Sequence, residues 1–271
     1  MNRQPNDNSL YNEEIVLSDE KSVSQKGNVV LRPSGPWSPY VFSLLRHIRE
    51  TSGLLVPSIV GPGFDSEGRE MLSYIEGEFV HPGPWSDDAL VEVGRMLRRL
   101  HDAGARFEPE ANAVWKPWFL RDVGESKRVY SHGDIAPWNM VTRDEMPVAL
   151  IDWEFAGPVD PMAELARVCW LFPQLHDDDV GEKVGLPSLE VRARQLRLLA
   201  DAYGIDPSQR SSLFDLILEV VVRETAEEAI EKRVTPDCVG PLWGIAWRAR
   251  AASWIVRNRV VLHNALDRQL F

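Results

Sequence analysis

Cysteine is scarce in this chain of 271 residues: only Cys169 and Cys238 occur. Two thiols build neither a disulfide framework nor a paired-cysteine metal site, and both read as buried thiols of a reducing compartment. Long apolar runs are missing too. No stretch approaches the ~18 consecutive apolar residues of a membrane span. The polar N-terminus, MNRQPNDNSLYNEE, lacks the apolar core of a secretion signal. The expectation is a cytoplasmic protein with no membrane partner. Positive charge is also in deficit, with 30 Lys and Arg against 41 Asp and Glu. An acidic chain does not neutralise phosphate backbones, so nucleic acid is excluded as the main partner. What remains is ordinary globular material, 44% hydrophobic and 26% charged, with no internal repeat.

The acidic excess is concentrated. Residues 144–234 carry 19 acidic and 9 basic side chains, whereas residues 84–143 carry 9 of each. Two readings stay open: solvated surface, or a field that attracts a cation, metal or substrate.

The pattern of the chain predicts an α+β protein of two lobes. Residues 1–12 read as disordered. Strand-like runs follow at Ile15–Leu17, Ser22–Gln25 and Val29–Arg32. Ser38-Pro39 reads as an N-cap and first helical position, with Val41, Leu44, Leu45 and Ile48 as the apolar stripe behind it. Strand-like runs at Ser58–Phe64 and Glu70–Ile75 complete a small antiparallel sheet with one helix, residues 1–75. Gly61-Pro62-Gly63 reads as a turn. Residues 76–85, rich in Pro and Gly, read as a hinge. Residues 86–271 are mostly helical, with strand-like runs at Arg128–Ser131 and Val148–Ile151. Helices are expected at about 161–172, 188–203, 208–233 and 240–266. Ten tryptophans are present; Trp243, Trp247 and Trp254 recur at helical spacing and read as a core face, and Trp138 and Trp153 as core packing.

Chemistry concentrates in Tyr130-Ser131-His132-Gly133-Asp134-Ile135-Ala136-Pro137-Trp138-Asn139 and in Ala149-Leu150-Ile151-Asp152-Trp153-Glu154. Asp134 stands in a loop where a carboxylate can accept a proton. Asn139, five residues on, and Asp152, at the end of an apolar strand, supply hard oxygen ligands of the kind magnesium shares with phosphates. Phosphoryl transfer needs this combination, because phosphate charge must be neutralised while the acceptor hydroxyl is aligned. Ser131, His132 and Asp134 do not form a hydrolase triad, which is assembled from distant residues, and no Gly-x-Ser-x-Gly elbow occurs.

This stretch resembles the aminoglycoside phosphotransferase family, the small-molecule branch of the kinase-like fold that includes choline kinases. Leu-Arg-Arg-Leu-His at 97–101 and Gly-Pro-Val-Asp-Pro-Met-Ala-Glu-Leu at 157–165 extend the resemblance, and residues 86–172 carry most of it. The resemblance implies a two-lobed protein-kinase-like fold and transfer of the γ-phosphate of ATP or GTP to a small-molecule hydroxyl. It implies Asp134 as catalytic base, Asn139 and Asp152 as Mg²⁺ ligands, and His132 as a brace of the loop. Asp160 would cap the helix that begins at Pro161. Nucleotide would lie between the lobes, its base near Tyr74, Ile75 and Glu76.

Two features depart from the kinase pattern. No Gly-rich phosphate loop precedes residue 60, and the strand that carries the phosphate-holding lysine in kinases ends here in Arg32. Arginine also holds phosphate, bidentately and with permanent charge. The usual glutamate partner on the first helix is not evident, Glu50 lying near its end. A pseudokinase-like binding module without turnover is therefore the alternative function. On helix 208–233 the stripe Leu213, Leu216, Ile217, Val220 continues as Glu224, Glu227, Glu228 and Glu231. With Asp177-Asp178-Asp179, read as a loop, these acids suggest a cationic acceptor, an amino sugar or amino alcohol, or else a solvated helix end.

Overall fold

The computed structural model describes residues 14–19, 21–124, 128–238 and 242–267; the expectation for residues 1–12 lies outside them. Five short strands form one antiparallel sheet: β1 (Glu14–Ser18), β2 (Val23–Lys26), β3 (Val29–Arg32), β4 (Ile59–Phe64) and β5 (Glu70–Ser73), in the order β1-β2-β3-β5-β4. Helix α1 (Ser38–Thr51) buries Val41, Leu44, Leu45 and Ile48. Its N-cap is Trp37, not Ser38; the Ser38 hydroxyl instead accepts a hydrogen bond from Gly35 N at 2.9 Å. Gly61-Pro62-Gly63 lies inside β4 rather than in a turn. Pairing with β5 skips between Ile59 and Phe64, because proline offers no N–H to the ladder.

The connector is stitched to the second lobe. Glu78 and Thr142 exchange two backbone hydrogen bonds, at 2.9 and 2.8 Å. Gly77 permits this approach: a Cβ there would stand 2.4 Å from Val141 Cγ1 and 2.5 Å from the Thr142 carbonyl oxygen.

Beyond the connector the chain is mainly helical. Ser86 caps α2 (Asp87–Gly104) by accepting from Ala89 N. Two small pairings follow: β6 (Val129–Ser131) with β9 (Gly157–Val159), and β7 (Met140–Arg143) with β8 (Met146–Leu150). Then come α3 (Pro161–Leu171), α4 (Asp178–Val184), α5 (Leu189–Tyr203), α6 (Arg210–Glu231), α7 (Trp243–Arg257) and α8 (Arg259–Asp267). Helix α2 packs along α5, and α3 and α7 flank α6. Asp160 caps α3 through Met162 N at 2.8 Å. Further local expectations change. The last helix is two, divided at Asn258; strands β7 and β9 were not foreseen; and Asp177–Asp179 begin α4 instead of lying on a loop. Cys169 is buried, but Cys238 is exposed.

Trp153, Trp170 and Trp254 are fully buried in the core. Trp138 is only partly buried and Trp243 is 54% exposed, so the tryptophans do not form a single core face.

Candidate active site

The β6–β9 and β7–β8 pairings bring residues 131–139 and 150–157 against each other, and the loop between β6 and β7 is built around Gly133. Its φ is +79°, and a Cβ would meet the Phe155 carbonyl oxygen at 2.2 Å, so only glycine fits the position. His132, fully buried, donates from Nε2 to the Ile151 carbonyl at 2.8 Å and accepts Asp134 N–H on Nδ1 at 3.1 Å. Burial lowers its pKa, which keeps the ring neutral and preserves the accepting nitrogen. Beneath the loop, Glu164 accepts Gly133 N–H at 2.6 Å and His101 Nε2 at 2.7 Å, while His101 Nδ1 meets the Tyr203 hydroxyl at 2.9 Å. Thus the two flanking motifs, 97–101 and 157–165, converge on one buried hydrogen-bond chain under the loop.

Asp134 is buried and faces two partners. Asn139 Nδ2 donates to its Oδ2 at 3.0 Å and to its carbonyl at 2.9 Å, and Arg167 lies 2.8 Å from its Oδ1. Burial pushes the Asp134 pKa up to about 6; the Arg167 guanidinium opposes the rise. Arg167 also pairs with Glu224 at 2.7 Å and donates to the Ile135 carbonyl at 3.0 Å. Glu224 in turn accepts from Arg248 at 3.3 Å.

Asp152 sits in the left-handed region, φ +64°, where Asp is tolerated better than most residues. Its Oδ1 lies 2.9 Å from Arg32 Nη1 and its Oδ2 2.9 Å from Lys21 Nζ, and these cations lower its pKa against the effect of burial. Arg32 is itself buried. Besides Asp152 it pairs with Glu70 at 3.3 Å and Glu154 at 3.2 Å. Glu70 is the residue directly opposite Arg32 in the β3–β5 register.

The sequence profile described as the phosphotransferase enzyme family matches residues 110–213. A trifolitoxin immunity protein from Rhizobium leguminosarum bv. trifolii is 51% identical over 259 residues, which covers 94% of this chain and 99% of that protein. The chain belongs to the phosphotransferase enzyme family. Among solved structures, an amicoumacin kinase in complex with AMP-PNP, Ca²⁺ and Ami superposes with a TM-score of 0.65 at 12% identity, covering 93% of this chain and 88% of that one. A microcompartment-associated aminopropanol kinase superposes with a TM-score of 0.61 at 12% identity, covering 94% and 93%. The expected two-lobed kinase-like α+β fold is therefore that of the phosphotransferase.

The phosphotransferase brings Arg32, Asp134, Asn139, Asp152 and His132 into one region of contiguous contacts. Tyr74 and Ile75 line a cavity of about 310 Å³ that also touches Leu17, Val30, Leu72, Phe79, Arg32 and Asp152. Glu76 does not line this cavity. It lines a wider hollow of about 720 Å³, with Arg49, Arg143 and again Tyr74 and Ile75. Glu224 is buried between Arg167 and Arg248, and no longer has a charge to offer a cationic ligand. Glu228 is half-buried and pairs with Lys232 at 2.9 Å and Arg248 at 3.6 Å; Glu227 is half-buried on the same helix. Asp177 pairs with Arg250 and Arg257 at 3.0 and 2.7 Å, and Asp179 with Arg250. Much of the acidic excess is thus neutralised within the fold.

Sequence reasoning missed Lys21, Glu70, Arg167 and the brace Glu164. Glu70 could have been found from strand register, as a carboxylate opposite an inward cation. Arg167 was legible only as a charge on the apolar helix α3.

Proposed function

We propose that the protein is a cytoplasmic, divalent-metal-dependent kinase that moves the γ-phosphate of ATP or GTP to a hydroxyl of a small molecule. The observation that carries this is Asp134, a buried carboxylate with a raised pKa. Asn139 and Arg167 hold it at a braced loop, in the same region as Asp152 and Arg32. A base with a pKa near neutrality accepts a hydroxyl proton most effectively.

The residues fit a magnesium ion. Asp152 is a carboxylate whose lowered pKa keeps it ionised, and Asn139 commits its amide nitrogen to Asp134, leaving a hard amide oxygen. Among the described residues no cluster of three His, Cys, Asp or Glu forms a cage; magnesium is held by one or two such ligands with substrate phosphates. Asp152 and Asn139 would hold the ion, which supplies neutralisation of phosphate charge. Arg32, anchored by Glu70, lines the same cavity as Asp152 and would meet the phosphates there. The nucleotide base occupies the 310 Å³ cavity between Tyr74, Ile75 and the lining residues of the sheet. Asp134 Oδ1 or Oδ2 takes the acceptor proton while Arg167 fixes the carboxylate, and His132 and Glu164 keep the loop in register.

The relative named for immunity to trifolitoxin supports a protective role, in which the acceptor is a toxin inactivated by phosphorylation. Incubation of the protein with ATP or GTP and magnesium, against a panel of hydroxylated compounds and, separately, trifolitoxin, tests the reading. A mass increase of one phosphoryl group on an acceptor, lost in Asp134→Asn, is the expected result. A second reading, a binding module without turnover, is favoured by the two cations resting on Asp152. Nucleotide binding without transfer to any acceptor would select it.

A further inference from the structure

A second cavity, of about 530 Å³, lies between the catalytic loop and helices α4 and α7. Its walls are rings: Trp138, Trp243, Trp247, His81 and His176. His81 stands edge-on to Trp138 with centroids 5.4 Å apart, and His176 packs on Trp247 at 4.9 Å. The Nδ1 atoms of both histidines are buried and have no hydrogen-bond partner. His176 is only 4% exposed, and burial drives its pKa down to about 3, so that nitrogen belongs to a neutral ring. A buried polar atom without a partner carries a desolvation cost. The charged residues lining the cavity are Lys183 and Arg248; among the described residues no carboxylate lines it.

Asp134 does not line the cavity, and two routes link them. Trp138 sits four residues after Asp134, inside the same loop. Arg248 reaches Glu224, whose other partner Arg167 holds Asp134. The volume is that of a small-molecule pocket, and the lining has the usual make-up of one: mostly apolar and aromatic, with a few polar groups.

We propose that this cavity is the acceptor subsite, and that the acceptor carries an aromatic or heteroaromatic ring and is neutral or anionic, not a polycationic amino sugar. This rests on the phosphotransferase reading and narrows it. Ring faces of Trp138, Trp243 and Trp247 stack on a planar group. Lys183 attracts an anionic substituent and opposes a polycation, while the charge of Arg248 is met by Glu224 and Glu228.

The probe is 8-anilinonaphthalene-1-sulfonate, an anionic aromatic fluorophore, titrated into the full chain with kanamycin as competitor. The variants are Trp243→Ala and Lys183→Glu, both at exposed positions where folding is not at stake. Each should weaken probe affinity by about tenfold, leaving nucleotide affinity unchanged, and kanamycin should not displace the probe. Probe affinity unchanged in both variants, or displacement by kanamycin, overturns the proposal. Phosphate transfer is read separately. If an acceptor is phosphorylated with a KM untouched by both variants, the subsite fails and the kinase reading stands. If the variants lose the probe while no acceptor is ever phosphorylated, the kinase reading fails and the aromatic site stands.

Discussion

Lys21 Nζ and Asp152 Oδ2 stand 2.9 Å apart, although 131 residues separate them in sequence. Arg32 takes the other oxygen of the same carboxylate. The two cations are not equivalent. The Lys21 side chain is 51% exposed, whereas that of Arg32 is 9% exposed and serves Glu70 and Glu154 as well. An exposed ion pair contributes only about 0–1 kcal/mol. Removing one partner of a buried pair strands its charge and costs about 3–5 kcal/mol.

Lys21→Met should therefore leave stability within about 1 kcal/mol of wild type. Arg32→Ala should lose about 3–5 kcal/mol, since Glu70 stays buried without its partner. Urea unfolding of both variants measures the contrast. Arg32→Lys should retain part of the loss, because one ammonium cannot match three carboxylates spread around a planar fork. Equal stability of Arg32→Ala and wild type would show that Arg32 does not anchor the sheet edge.

Asp134→Asn should cut turnover by about 10²–10⁴-fold with nucleotide affinity preserved. The amide keeps the size of the side chain and can still accept from Arg167 through its oxygen, so the loop holds its shape. Steady-state kinetics and calorimetry on the same preparation test this; near-native turnover would remove Asp134 from the reaction.

The pH profile should carry the mark of the same residue. A base works only when ionised, and Asp134 has its pKa raised to about 6. Turnover should be level above that value and fall as pH drops through about 6. A limb at the ordinary carboxylate position, about pH 4, would mean that Arg167 outweighs burial.

Asp152→Ala should weaken binding of the magnesium–nucleotide pair more than Asn139→Ala does, because a charged oxygen holds a hard cation more strongly than a neutral amide oxygen. Titration calorimetry with and without a chelator separates the metal-dependent part. Equal affinity in wild type and Asp152→Ala would exclude Asp152 as a ligand.

Glu224→Gln should lower kcat and leave the acceptor KM unchanged. Glu224 neutralises Arg167 from behind, and its loss lets that guanidinium bind Asp134 more tightly and lower its basicity. The acid limb should accordingly move to lower pH. A raised KM with an unchanged kcat would instead place Glu224 against the acceptor.

By itself the sequence determined the small sheet with one helix, the largely helical remainder, and the loop that carries Asp134 and Asn139, with Asp152 after a later apolar strand. These are local matters. Strand alternation, helical periodicity, caps such as Ser86 and Asp160, and a glycine forced by φ +79° at Gly133 all act within a few residues. Which charges meet was not legible, because ion pairs form between positions that only the folded chain brings together. Glu70 faces Arg32 through strand register, not spacing; Arg167 reaches Asp134 and Glu224 from the buried side of α3; Lys21 reaches Asp152 from a hairpin turn. For the same reason the acidic stripe on α6 read as open to a cation until α7 laid Arg248 against it. The tryptophans, uniform in sequence, divided into core at Trp153 and Trp254 and cavity wall at Trp138, Trp243 and Trp247. Helical spacing sets the direction of a side chain, and only the packing of neighbouring helices decides whether that direction meets core or space.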